Sequence, residues 1–173
     1  VAKNNINLVA KGDIINKNFS DITAENNLNI TSTDGSISNF SKLKATRAIS
    51  ITAAQDVINS ATVFTNDANL LNSNNPAYIK NSSDVRTTGN IKSTLIETAS
   101  IKAGSLNINA GNNFSNQGAD INTTGKATIS AGNDVNITSV QTRNRTETYW
   151  GRRSKGGKSV ADTTTNIGSN INV

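Results

Sequence analysis

The chain contains no cysteine, no histidine and no methionine, one proline, and only seven aromatic residues in 173. Each absence excludes a chemistry. Without Cys there is no disulfide framework and no thiol nucleophile. Without Cys or His there is no zinc site built on either, no imidazole base and no triad that depends on one. Apolar runs are too short to span a membrane, so no transmembrane segment is expected, and no charged-then-apolar leader opens the chain. It begins at Val1 rather than Met and reads as an excised piece of a longer protein.

What is present in excess is small polar residues: 29 Asn, 21 Thr and 19 Ser make up 40% of the chain. Low hydrophobicity with polar bias is the signature of disorder. Two features oppose that reading. The net charge is only +5, and the apolar residues, almost all Ile, Val, Leu and Ala, fall at alternate positions, which is the pattern of half-buried strands.

The alternation recurs as a phrase. Leu106, Ile108, Ala110, Gly111, Asn112, Asn113, Phe114 and Asn116 are matched by Ile6, Leu8, Ala10, Gly12, Asp13 and Ile14. They are matched again by Leu28, Ile30, Ser32, Asp34, Gly35 and Ile37, by Ile49, Ile51, Ala53, Gln55, Asp56 and Val57, and by Ala127, Ile129, Ala131, Gly132, Asn133, Asp134 and Val135. A repeat of about 20–22 residues holding two or three short strands cannot bury its own apolar face and must stack on copies of itself. β-Branched residues at period 2, separated by Gly, Asn and Asp turns, exclude helical repeats. The expected fold is all-β, a parallel β-helix with one coil per repeat and Ile6, Leu8, Leu28, Ile30, Ile49, Ile51, Leu106, Ile108, Ala127 and Ile129 in two inward columns.

The interval from Ile49 to Leu106 reads as close to three shorter units, giving about seven coils and a rod on the order of 35 Å. Residues 66–95 are irregular and hold insertions, with Ile79, Val85, Ile91, Leu95 and Ile101 as inward positions. Asn suits corners because it tolerates left-handed backbone angles and its amides can bond along a stack; Asn16, Asn39, Asn59 and Asn116 form the candidate ladder. Phe19, Phe40, Phe64 and Phe114 are expected as core wedges.

Charge is the sharpest signal outside the repeat. Residues 143–158 hold six basic residues against the single acid Glu147, and the rest of the chain is balanced. The repeats therefore occupy residues 1–141, a basic loop or hairpin occupies 142–165, and 166–173 starts the next coil. The candidate ligand-binding residues are Arg143, Arg145, Tyr149, Trp150, Arg152, Arg153, Lys155 and Lys158. Cations interleaved with aromatics suit anionic polymers: sulfated glycan, lipopolysaccharide or, ranked last, nucleic acid. The competing reading is a solvated loop that keeps a stacking-prone rod soluble.

A lyase on such a scaffold needs clustered acids for calcium with a nearby base. The 12 acids here are dispersed. Asp13, Asp34, Asp56 and Asp134 occupy one turn position, which turn formation explains. No catalytic residue, metal or cofactor is expected, and the chain reads as no enzyme. The eight Asn-x-Ser/Thr sequons are no more than this composition yields by chance.

The run Leu106 to Asn116, then Gly118, Ala119, Ile121 and Gly125, then Ala127 to Val135 and Ile137, resembles the haemagglutinin repeats of filamentous haemagglutinin and of contact-dependent inhibition toxins. These are exoproteins of the two-partner secretion pathway. The likeness is strongest over residues 100–141, partial over 1–60 and weak between 66 and 95. It implies a right-handed β-helix on the bacterial surface, outside the outer membrane, acting as an adhesin or as a stalk that carries a toxin. It also implies an outer-membrane transporter as partner of the full-length parent. The absence of Cys suits a chain threaded unfolded through a pore. The alternative is a carbohydrate-binding module working through the basic aromatic insertion.

Overall fold

The computed structural model describes residues 1–68, 85–150 and 157–173, with side chains left out at 66–68, 85–90, 149–150 and 157–158. No helix occurs among the described residues. The chain divides into two compact units, one formed by Val1–Thr62, Ile96–Val140 and Ile167–Val173, the other by Val63–Leu95 and Gln141–Asn166.

The first unit consists of three parallel sheets of five strands each. Sheet one holds β1 (Ile6–Ala10), β4 (Asn27–Ser32), β7 (Ala48–Ala53), β12 (Ser105–Ala110) and β15 (Ala127–Ala131). Sheet two holds β2 (Ile14–Asn16), β5 (Ile37–Asn39), β8 (Val57–Ser60), β13 (Phe114–Gln117) and β16 (Val135–Thr138). Sheet three holds β3 (Ile22–Ala24), β6 (Lys42–Ala45), β11 (Ser100–Ala103), β14 (Asp120–Thr123) and β19 (Asn170–Asn172). Each circuit of the chain adds one strand to each sheet, which is the arrangement of a parallel β-solenoid.

The register follows from the alternation. Ile6, Leu28, Ile49, Leu106 and Ala127 are successive partners along sheet one, as are Leu8, Ile30, Ile51, Ile108 and Ile129. These are the two columns expected from the sequence. Slipping any strand by one residue would turn its aliphatics to solvent and its Asn and Ser residues inward, so burial pins the register. Leu28, Ile30, Ile49, Ile51, Leu106 and Ile108 are buried, and the end-coil members pack partly buried against them. Sheet three contributes Ile22, Leu43, Ile101, Ile121 and Ile171 at one level. Each fully buried aliphatic of this kind contributes about 1.5–3 kcal/mol.

The structure corrects the coil count. Ile49 and Leu106 are direct partners, so the long interval is one coil carrying an excursion, and the stack has five coils rather than about seven. The excursion leaves after β8 as β9 (Thr62–Ala68) and returns to β11 as β10 (Val85–Glu97). A second departs after β16 as β17 (Val140–Trp150) and returns to β19 as β18 (Gly157–Ile167). Both interrupt the same step of the circuit, between sheets two and three. Of the proposed inward positions whose side chains are described, only Ile101 lines the core. Val85, Ile91 and Leu95 lie on β10, and Ile79 falls outside the described residues.

The second unit is built on these excursion strands, which form one four-stranded sheet in the order β18-β17-β10-β9. β10 and β17 run antiparallel, with Ile91 opposite Arg145, Gly89 opposite Glu147 and an irregularity between Thr87 and Gly89.

Three further expectations change. Among the described residues only Phe19 and Gly118 have positive φ, so left-handed asparagines do not turn the corners. Of the four phenylalanines only Phe114 is a fully buried wedge, while Phe19 and Phe64 are exposed. Phe114 lies buried in sheet two, where its column partners are Val57 and Val135. Finally, Asp34 does not share the turn position of the other three aspartates. The pairing of Ile14 with Ile37 places Ser36 above Asp13.

Candidate functional site

Buried polar groups are the first place to look for function, because each must be satisfied or be costly. Asn16, Asn39, Asn59 and Asn116 occupy one inward position of sheet two and are all buried. Asn16 Nδ2 donates to Asn39 Oδ1, Asn39 Nδ2 to Asn59 Oδ1, and Asn59 Nδ2 to Asn116 Oδ1, each at 2.7 Å. The last amide donates to the Ala119 carbonyl at 2.8 Å. The ladder holds the members expected from the sequence but sits inside the strands rather than at corners. It stops where Ile137 follows Asn116 in register. Its role is structural, since its donors are spent within the fold.

The turn acids are spent in the same way. Asp13 Oδ1 accepts the backbone N–H of Ser36 at 2.8 Å, Ser36 Oγ that of Asp56 at 3.3 Å, Asp56 Oδ1 that of Asn113 at 3.0 Å, and Asn113 Oδ1 that of Asp134 at 3.2 Å. At this position each coil supplies a side-chain oxygen to the N–H of the next. Asp, Ser and Asn all serve, because the position needs only an acceptor. The column is a staircase of turn bonds rather than a row of acids.

The expected ligand residues lie on or between β17 and β18. Gln141 Nε2 donates to Asn166 Oδ1, and Thr142 Oγ1 lies 3.5 Å from the Thr165 carbonyl, so the two strands run in opposite directions. Arg143 grips Asp162 with two bonds, Nε to Oδ1 at 2.9 Å and Nη2 to Oδ2 at 2.6 Å. Arg145 pairs with Glu147 through Nη2, and its Nε stands 4.0 Å from Asp162. The hydrogen bond from Arg143, aided by its charge and that of Arg145, holds the Asp162 carboxyl below the ordinary carboxylate range, and the Arg143 guanidinium is raised in return. Two of the eight candidate residues therefore spend charge within the strand pair. Tyr149 and Trp150 end β17 opposite Arg86 and Val85, and Lys158 lies on β18. Arg152, Arg153 and Lys155 fall outside the described residues.

One feature is not legible in any motif. A shallow groove of about 530 Å³ is lined by Ile15, Lys17, Asn18, Phe40 and Thr62. Thr62 Oγ1 donates to Asn18 Oδ1 at 2.7 Å and fixes one wall. In the same turn Phe19 sits at φ 61°, strained for a residue with a Cβ. It is held there by its N–H, which donates to Glu97 Oε2 at 2.5 Å, while Glu97 Oε1 accepts the buried Ser41 hydroxyl at 2.7 Å. The signal in the sequence is that Lys17 and Phe40 each directly follow a ladder asparagine.

Three five-stranded parallel sheets wound by one chain, with inward amides and turn acids spent on stacking, define a structural β-solenoid of repeating coils. The chain belongs to the hemagglutinin repeat family, whose model matches residues 1–154. The family is one of secreted surface exoproteins, in which such repeats form adhesin or stalk regions of filamentous-haemagglutinin type. Comparison with curated proteins and with solved structures gave no match.

Proposed function

We propose that this chain is a non-catalytic segment of stalk, a right-handed β-helix that projects a distal toxin or adhesive domain in contact between cells. The observation that carries this reading is the continuous stacking from coil to coil. Three sheets keep register through all five coils, and the polar side chains that could do chemistry, the ladder amides and turn carboxylates, bond to the next coil. A rod of this kind transmits position. The full-length parent would then take an outer-membrane transporter of the two-partner pathway as its partner and stand outside the outer membrane. Exchanging residues 1–141 in the parent for an unrelated solenoid of equal length is the direct test. Contact activity that survives the exchange supports the stalk; activity that disappears while secretion persists assigns the coils a ligand of their own.

A second reading rests on the net +5 confined to residues 143–158. With Arg143 and Arg145 engaged by acids of the strand pair, the cations for a sulfated glycan or lipopolysaccharide would be Arg152, Arg153, Lys155 and Lys158, with Tyr149 and Trp150 beside them. A glycan array probed with the chain and with a variant lacking residues 142–165 separates the readings. Binding lost with the deletion favours the module.

A further inference from the structure

We propose that the outer edge of β18 is a self-association surface, taking the β18 strand of a second copy in antiparallel register centred on Thr163. β18 is 11 residues long and stands at the edge of its sheet. Every residue from Ser159 to Asn166 is exposed, Val160 included. Natural edges are blunted by proline, by a bulge or by unpaired charge. β18 contains no proline, and its one acid, Asp162, is turned to Arg143 on the inner neighbour. Its central residues, Thr163, Thr164 and Thr165, have high strand propensity.

Charge chooses the direction. The one basic residue of β18 itself, Lys158, lies near one end of the strand. Parallel copies in register would hold equivalent lysines one strand spacing apart, about 5 Å. Antiparallel copies centred on Thr163 hold the two Lys158 positions about 33 Å apart, well beyond the screening length of about 8 Å at physiological salt.

Charge also chooses the register. A two-fold axis normal to a sheet passes midway between one residue and its own copy, so that this residue faces itself. Centring on Asp162 would overlap the whole strand but place two carboxylates opposite each other. Moving the axis to Thr163 keeps the nine residues from Ser159 to Ile167 paired. Asp162 then faces Thr164 of the other copy, where a hydroxyl can donate to it. Thr163 faces itself, and Val160 is covered by the Asn166 side chain. Such a pairing is closed and isologous, so it ends at a dimer.

The absence of cysteine makes the test clean. In the full chain, Thr163→Cys is expected to give a disulfide-linked dimer on mild oxidation, because facing residues on paired strands bring their Cα atoms within bridging range. Ser159→Cys, eight positions of strand from its own counterpart, is expected to give almost none. Thr163→Lys is expected to weaken dimerisation roughly tenfold or more in sedimentation by setting two ammonium groups face to face. It should leave the circular-dichroism spectrum unchanged. A chain that sediments as a monomer overturns the proposal. So does a dimer indifferent to Thr163→Lys, or cross-linking as efficient at Ser159 as at Thr163.

Discussion

Asn59 shows how much one side chain carries. It accepts from Asn39 and donates to Asn116, and it is fully buried. Asn59→Ala leaves the Asn116 oxygen without its donor, deprives the Asn39 amide of one acceptor and opens a void, at a cost of about 2–4 kcal/mol. Asn16 has a ladder neighbour on one side only, so Asn16→Ala should cost less than half as much in urea unfolding. Equal costs would show that the amides do not act as a chain. Ile108 is more severe. It lies inside its column, between Ile51 and Ile129, with no exposed surface, and Ile108→Asp places an unpaired carboxylate among aliphatics. Loss of the cooperative unfolding transition is expected. Tight turns add a further constraint: a Cβ on Gly132 would lie 2.1 Å from the Gly111 carbonyl oxygen, so these coils stack there only without side chains.

Among the elements, the β17–β18 pair depends most on electrostatics. Pairing with Arg143 holds the Asp162 carboxyl below its ordinary value. The stability it lends is therefore complete above the ordinary carboxylate range and is lost as pH falls through the lowered value. Amide exchange in β18 should accelerate at acid pH relative to that of sheet one, whose register rests on burial. Asp162→Asn should remove that difference, because the neutral amide has no charge to lose. A β18 whose protection relative to sheet one is the same at neutral and acid pH would refute the argument. Both sides of the pair are exposed, so the effect should shrink with added salt.

For the whole molecule, charge and core are separable, since the excess of basic residues lies in 143–158 and the aliphatic columns lie elsewhere. Replacing Arg152, Arg153 and Lys155 with Ser should abolish retention on heparin and leave the melting temperature nearly unchanged. Retention that survives the replacement would leave this stretch as a solubilising segment. The wild-type interaction should weaken steeply with salt, as exposed contacts do.

Period-2 alternation of Ile, Leu and Ala, with its repeat, was enough to place the two inward columns and the ladder asparagines. One face of each strand has to be dry, and a one-residue slip would wet it. The size of the stack was not legible. A coil that carries a long excursion and a run of decayed coils look alike along the chain, and only the pairing of Ile49 with Leu106 distinguishes them. The same holds for the site. Sequence located the cations at 143–158, but Asp162 lies far enough along the chain that its grip on Arg143 has no local signature. Nor could composition tell that Phe114 faces inward while Phe19 projects. That is decided by which side of a turn each occupies once Glu97, 78 residues away, takes the Phe19 N–H. Local alternation encodes which face is buried, because burial is a property of each strand. Contacts between distant residues exist only after the coils have stacked.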